Sequence, residues 1–455
     1  MNESIRKRIF VIGGGISGLA ALHYLKLRYQ KCPEVEIVLL EKRSVPGGVI
    51  GTEMISDARF ETGSNGFLNT QPLTFQLIEE LGLKDQLIEA FPDNKVRFLC
   101  VKNKLYPLPA NPLGLLSFPL LSAADKLALL KESFVKSKGR ENETVHEFVS
   151  RRLSPGWAKM LADPMISGIY AGDAREIVLR DAFPTLAELE AEHGSLLKGL
   201  MAARKKGGGG KSLYSLSEGM GSIIHALYQK YQAHIRLNQD VDDIRKEANG
   251  QYLIRTDEQL YTADQVFLTV PAYAASDMLR AMDTRISDLL DQIQYAPVAL
   301  VGLVCAKEEF VNLPAGFGYL KPSAEKSPVM GVLFEDQIFE NRAATRQCLL
   351  RIMIGGMHNL QILKYSKEEL IAAARKEVIQ VLGFKGEPFH IFFQAWSNAI
   401  PQYDLYRHRI RPQIAEGLVQ HPNFHITANY WNGVCVNDCL RSAHQTVADS
   451  QWILN

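Results

Sequence analysis

Ile9-Phe10-Val11-Ile12-Gly13-Gly14-Gly15-Ile16-Ser17-Gly18 decides how the chain is read: an apolar run breaks into glycines and resumes with helical spacing. The spacing Gly13, Gly15, Gly18 is G-x-G-x-x-G. Gly13 permits the tight turn out of a buried strand, Gly15 lets the backbone approach a pyrophosphate, and Gly18 lets helix and strand pack closely. The helix expected from Ser17 to about Arg28 aims its N-terminal N–H groups and positive dipole end at that phosphate. A second buried strand, Val35-Glu36-Ile37-Val38-Leu39-Leu40, ends in Glu41, whose carboxylate can accept hydrogen bonds from both hydroxyls of an adenosine ribose. A secretory signal is the competing reading of the apolar run, and its glycines and the lack of a small-residue cleavage site argue against it.

Two further glycine bends follow. Val45-Pro46-Gly47-Gly48-Val49-Ile50 carries a doublet just beyond the ribose carboxylate, and Arg59-Phe60-Glu61-Thr62-Gly63-Ser64-Asn65-Gly66-Phe67 presents small and polar groups. A nicotinamide dinucleotide needs only the first cradle. Three bends in about seventy residues tilt the reading toward one longer cofactor, FAD, with core packing as the alternative role for the later two.

Bulk composition bounds the rest. The chain has 455 residues, 46% hydrophobic, enough for several cores, and 51 basic against 50 acidic side chains leave no global field to recruit nucleic acid. Six scattered cysteines read as reduced thiols in a cytosolic compartment, and neither Cys435 with Cys439 nor His421 with His425 has convincing metal-ligand spacing, so no metal is expected. Leu105 to Ala124 runs twenty residues without a charge, but Pro107, Pro109, Pro112, Pro119 and Gly114 make a spanning helix untenable. Two alternatives stay open for it: an irregular apolar wall inside the protein, or a patch that docks on a membrane surface.

Helical spacing covers 73–90 with a break at Gly82, and Ser122 with Asp125 and Thr144 with Glu147 have capping-box spacing in a mostly helical region reaching about residue 203. Arg204-Lys205-Lys206 with the following glycines fails the nucleoside-triphosphate loop pattern and reads as a basic surface linker. Ile235-Arg236-Leu237 with Val241-Asp242-Asp243-Ile244 reads as a strand pair. Runs at 298–304, 329–334, 349–354 and 391–396 imply a second sheet, and a helix capped at Ser366 should stop at Gly383.

Taken with Gly13 to Gly18, Glu41, Gly47-Gly48, Phe60-Glu61-Thr62-Gly63, Ser217 to Gly221 and Gly433-Val434, the chain resembles the flavin monoamine oxidase-like superfamily. More narrowly it resembles the oxygen-dependent protoporphyrinogen oxidases, through Val96-Arg97-Phe98-Leu99, Thr144-Val145-His146, Arg151-Arg152-Leu153, Gly168-Ile169-Tyr170-Ala171-Gly172, Gly316-Phe317-Gly318-Tyr319-Leu320, Ile400-Pro401-Gln402-Tyr403 and Val436-Asn437-Asp438-Cys439. The resemblance implies an α/β plus α+β architecture. Its parts are an FAD-binding Rossmann-like domain in three segments (1–90, 212–290, 401–455), a helical, membrane-docking insertion (91–211) and a mixed-sheet substrate domain (291–400).

The resemblance implies oxidation of protoporphyrinogen IX to protoporphyrin IX by molecular oxygen, with release of hydrogen peroxide, in haem and tetrapyrrole biosynthesis. Coproporphyrinogen III is the alternative substrate. An amine oxidase built around Trp431, or a non-catalytic scaffold that binds FAD and porphyrin, are the competing classes. Substrate contacts are implied at Arg97, Gly168, Phe317, Gly318, Leu320, Leu333 and Met353. Cofactor contacts are implied at Gly13, Gly14, Gly15, Ile16, Ser17, Gly18, Glu41, Gly48, Val49, Gly63, Ser64, Asn65, Gly66, Val241, Asn429, Val434, Cys435 and Val436. Because the flavin ring accepts a hydride, no catalytic proton-transfer side chain is expected. Implied partners are the porphyrinogen, oxygen, the inner face of the cell membrane, a second copy of the chain and a ferrochelatase that receives the product. The chain departs from its relatives at Val45, Asn65, Ala428 and Ala443, where arginine or glycine is common.

Overall fold

The fold was described from a computed structural model covering residues 7–92, 95–109, 111–205 and 210–451. Five parallel strands lie in the order Ile235–Arg236, Val35–Leu40, Lys7–Ile12, Gln265–Leu268, Phe424–Ile426. Ile9 to Ile12 are buried, as a continuous apolar run must be when both faces of a parallel sheet are covered. One face packs on helices Ile16–Arg28, Gly221–Tyr231 and Val436–Asp449. The other packs on a three-stranded antiparallel sheet, Val241–Lys246, Tyr252–Thr256 and Leu260–Ala263, and on helices Ala272–Leu279 and Thr284–Asp291.

Two local expectations need correction. Ile235–Arg236 and Val241–Lys246 do not pair with each other: the chain turns at Asn238, which has φ of +56°, and the strands join different sheets. The helix after Pro72 ends at Glu80, and Gly82, at φ of +70°, lets the chain reverse. Leu87 and Ile88 then form a strand with Leu216 and Ser215. Both errors have one cause, since short apolar runs fit helix and strand periods equally well until a partner exists.

The second sheet has seven strands, in the order His390–Pro401, Tyr295–Ala306, Gln347–Gly355, Val329–Phe334, Gly318–Leu320, Arg97–Val101, Lys104–Pro107. Arg97–Val101 and Lys104–Pro107 thus extend the sheet of the 291–400 region. One face, with Phe98, Tyr319, Val332, Ile352 and Val301, is sealed by helix Lys367–Leu382. That helix has the expected capping box at Ser366 and Glu369 and stops at Gly383, φ +67°.

The helical insertion covers part of the opposite face. Its helices Ala123–Lys131 and Val145–Arg152 begin in capping boxes at Ser122/Asp125 and Thr144/Glu147. Of the two readings of Leu105–Ala124, the structure selects the inner wall for its core: Phe118 and Leu121 are buried with Leu99 and Trp157. Among the described residues no helix is long and apolar enough to cross a membrane. Of the basic glycine run, residues 206–209 lie outside the described residues.

Candidate active site

The cofactor cradle is assembled from bends far apart in sequence. Gly14 N–H donates to Glu41 Oε2 at 2.5 Å and Arg43 N–H to Glu41 Oε1 at 2.9 Å, fixing the carboxylate at the end of the second strand. The doublet then closes on the first bend: Gly47 N–H donates to the Gly14 carbonyl at 2.8 Å, and a Cβ on Gly48 would stand 3.3 Å from Gly15 Cα. The third bend lies against the second. A Cβ on Gly63 would collide with the Val49 carbonyl at 2.2 Å, and Thr62 Oγ1 donates to that oxygen at 3.2 Å. Ser64 bonds the Gly66 carbonyl at 2.7 Å, and Asn65 lies 3.5 Å from Glu335.

Two helix N-termini complete the cradle. Helices Ile16–Arg28 and Val436–Asp449 pack lengthwise. Cys439 lies beside Ser17 at one end and Arg28 donates to the Ser450 carbonyl at the other, so the helices run parallel and start together. Burial pushes the Cys439 thiol up to about 11. Neither helix has a side-chain cap from the residue that precedes it, Gly15 or Cys435, whereas Ser122, Thr144 and Ser366 cap helices elsewhere. Uncapped N–H groups at two convergent positive dipole ends suit a diphosphate. Gly15 has ordinary backbone angles and no atom nearer than 3.9 Å to an added Cβ, so only a ligand can demand glycine there. The donor set of backbone N–H groups, with the Glu41 carboxylate at the end of the second strand, fits FAD.

Val434 packs against Tyr403 and Ile400, and Tyr403 organises this last bend. Its hydroxyl accepts from Gly433 N–H at 2.5 Å and donates to the Asn429 carbonyl at 2.7 Å, and burial raises its pKa to about 12. Val241 differs from the rest: its side chain is buried in the core beside Phe10, and its strand reaches the cradle through Gln239 N–H, 2.9 Å from the Glu41 carbonyl. Of the departures, Val45 points to solvent, and Arg43 does the anchoring, with Nη2 2.8 Å from the Gly48 carbonyl.

The substrate candidates gather on one sheet face. Arg97, Gly318, Leu333 and Arg351 are successive cross-strand partners. Leu99, Leu320, Gly331 and Met353 form the row two residues further along, hence on the same face. Phe317, Leu320, Leu333 and Met353 stay half-buried in a sheet whose other face is sealed, which makes them candidates for the wall of an apolar slot. Gly318, at φ of +136°, could not hold a Cβ, which would sit 2.2 Å from the Val332 carbonyl. Gly168, on helix Asp163–Tyr170, faces Leu320 from above, with 3.1 Å between an added Cβ and either Leu320 methyl. At the slot's edge the exposed Arg97 lies over the Phe317 ring, and among the described residues it has no ion pair.

Three contributors escaped the sequence reading. Gly331 sits between Leu320 and Met353, where a Cβ would stand 2.8 Å from Leu320; a glycine inside the apolar strand Val329–Phe334 was the available signal. Arg351, a lone cation in Leu349–Ile354, is buried, donates to the Gly63 carbonyl and lies 3.6 Å from Glu335, so it ties the third bend to the sheet. Trp396 Nε1 does the same through the Thr62 carbonyl at 2.9 Å. Trp431, the residue that kept an amine oxidase open, packs against the core of the first domain beneath Arg411.

Known proteins share this sequence pattern and fold. Residues 16–449 match the family described as flavin containing amine oxidoreductase. Protoporphyrinogen oxidase of Bos taurus is 31% identical, covering 97% of this chain and 98% of its own length. Protoporphyrinogen oxidase of Homo sapiens is 31% identical, with 96% and 97% covered. A structure from Exiguobacterium sp. 255-15, provisionally described as a protoporphyrinogen oxidase, superposes with a TM-score of 0.84 at 24% identity, covering 97% of this chain and 98% of that one. A putrescine oxidase bound to putrescine shares the fold at a TM-score of 0.68 and 16% identity, with 98% of each chain covered. The chain is a member of the flavin-containing amine oxidoreductase family, an FAD-dependent oxidoreductase.

Proposed function

We propose that this protein oxidises protoporphyrinogen IX to protoporphyrin IX, in successive two-electron steps with molecular oxygen as acceptor and hydrogen peroxide as product. The observation that carries the proposal is the half-open apolar row Leu320, Leu333, Met353 ending at Arg97. A flat apolar macrocycle suits such a slot, and its carboxylates suit an unpaired guanidinium. Bound FAD supplies the two-electron acceptor. The protein's task is to hold a meso carbon against it and to exclude water: Gly168 and Gly331 keep the slot thin, Phe317 and Leu320 flank the ring, and Arg97 fixes one edge. Arg351 on the same row is buried and tied to the Gly63 carbonyl beside Glu335, so Arg97 is the exposed cation among the described residues of this row. That favours a substrate with its propionates at one edge over the tetracarboxylate coproporphyrinogen III.

The test is an air-driven assay on both porphyrinogens, reading porphyrin fluorescence and peroxide, with flavin identified after denaturation. Faster oxidation of protoporphyrinogen supports the proposal. Flavin that stays oxidised when either porphyrinogen is added without oxygen overturns it.

The proposal includes a peripheral membrane contact through the helical insertion. Leu127, Leu130 and Phe134 share a helical stripe and are 48%, 60% and 79% exposed, and Leu200 and Met201 are exposed on the adjoining helix Leu196–Lys205. Glu132 holds the two together by accepting from Leu196 N–H at 2.8 Å and pairing with Arg152. Lys131, Lys136 and Lys138 flank the stripe, so anionic vesicles should bind the protein and neutral ones should bind it less. Pairing of two copies and direct transfer of the apolar product to a ferrochelatase belong to the same proposal, as does the three-part domain division with residues 97–107 assigned to the substrate sheet.

A further inference from the structure

Helix Asp163–Tyr170 roofs the slot, since Gly168 rests on Leu320. Its fastenings to the sheet are polar. Asp163 Oδ2 accepts from Ser323 N–H at 2.7 Å, the Ala171 carbonyl from Met357 N–H at 2.7 Å, and the Tyr170 carbonyl from Gln402 Nε2 at 2.9 Å. Beside Met357, His358 stands between two carboxylates of the roof segment. Its Nε2 is 3.6 Å from Asp163 Oδ1 and its Nδ1 3.9 Å from Asp173 Oδ2. A neutral imidazole has one N–H and can serve one of these carboxylates; an imidazolium has two and serves both.

We infer that His358 is a positioning residue for substrate capture, clamping the roof helix over Leu320 as an imidazolium bridged between Asp163 and Asp173 and loosening it when deprotonated. The inference rests on the reading of this face as the substrate slot.

The charges around His358 agree. From the roof segment come Asp163, six per cent exposed, and Asp173; from the turn after it comes Arg175, whose guanidinium is 2.9 Å from Asp173 and opposes the clamp. From the sheet comes Lys321, which lines the same small cavity and is neutralised by Glu377 at 2.6 Å. Two carboxylates against one guanidinium, itself paired with Asp173, still favour the charged ring. The neighbouring Asp163 carboxylate raises the His358 pKa above its ordinary 6.5, outweighing burial, although at 3.6 Å the pair is an ion-pair contact that a small roof movement must tighten into a hydrogen bond. Burial pushes Asp163 up, but the His358 ring beside it and the Ser323 N–H bond outweigh that and hold the acid below its usual range. A raised imidazole pKa means the clamp is complete below the ordinary value and is lost as pH rises through the folded one. The three backbone-mediated fastenings do not titrate in that range, so the roof loosens without detaching.

The experiment measures KM and kcat of the FAD-loaded enzyme across pH for wild type, His358→Gln and Asp173→Asn, together with hydrogen exchange of residues 163–173. Wild-type KM should rise about threefold to tenfold through the titration at constant kcat, with exchange rising in step. His358→Gln should flatten both profiles, and Asp173→Asn should move their midpoint to lower pH. Parallel profiles for wild type and His358→Gln, an unmoved midpoint in Asp173→Asn, or pH-independent exchange in wild type would each overturn the inference. Absence of porphyrinogen turnover at every pH would instead count against the proposed function, while the exchange measurement still decides the clamp.

Discussion

The guanidinium carbon of Arg97 stands 4.3 Å from the centre of the Phe317 ring, so the cation is held over the aromatic face at the edge of the candidate slot. A stacked arginine keeps its edge donors free for a planar carboxylate while its face is satisfied by the ring.

If that edge receives a substrate propionate, Arg97→Ala removes a charge-assisted hydrogen bond of about 1.5–3 kcal/mol, and KM should rise roughly tenfold to a hundredfold. FAD content should not change. Kinetics and flavin absorbance on one preparation separate these outcomes, and equal loss of both would identify a structural arginine.

Gly15 and Gly18 should fail differently. A Cβ on Gly18 would lie 1.9 Å from the Gly13 carbonyl, so Gly18→Ala should lower the melting temperature of the cofactor-free protein. A Cβ on Gly15 has 3.9 Å of room. Gly15→Ala should therefore melt like wild type without cofactor and lose FAD affinity, as thermal scans with and without added FAD will show.

Gly168→Val fills the space over Leu320, where even a Cβ has only 3.1 Å to either methyl. Substrate affinity should fall by about tenfold or more as the slot narrows, with FAD retained. Reduction of the flavin by dithionite, set beside reduction by porphyrinogen, distinguishes a closed slot from a damaged cradle.

Tyr403→Phe leaves Gly433 N–H and the Asn429 carbonyl without their shared hydroxyl partner. The unpaired groups cost about 1–3 kcal/mol, and the effect should appear as faster FAD release rather than a changed KM.

Beneath the slot, Lys321 pairs with Glu377 at 2.6 Å while Tyr319 donates to the same carboxylate at 3.0 Å, all buried. Lys321→Met strands a buried charge and should cost about 3–5 kcal/mol in denaturant unfolding. Lys321→Met with Glu377→Gln keeps an acceptor for Tyr319 and should recover most of that loss.

Local rules carried much of this far into the fold. The glycine spacing at Gly13 to Gly18, the capping boxes at Ser122, Thr144 and Ser366, and the stop at Gly383 each depend on a few neighbouring residues, and the structure keeps them all. The reading failed where an element's identity depends on its partner, as at Leu87–Ile88 and Ile235–Arg236. It also missed Gly331, Arg351 and Trp396, whose roles arise from residues tens to hundreds of positions away.

By itself, then, the sequence determined that a strand, a glycine turn and a helix build a dinucleotide cradle, because backbone sterics and dipoles act within one turn of chain. Tertiary structure decided that helix Val436–Asp449 runs parallel to helix Ile16–Arg28 and that Arg97, Leu333 and Met353 share one face. It also decided that the exposed apolar stripe runs through Leu127, Leu130 and Phe134 while Phe118 and Leu121 turn inward. The physical reason is register: strand pairing and helix packing convert a residue's position into a face, and no local stretch contains its partner's alignment.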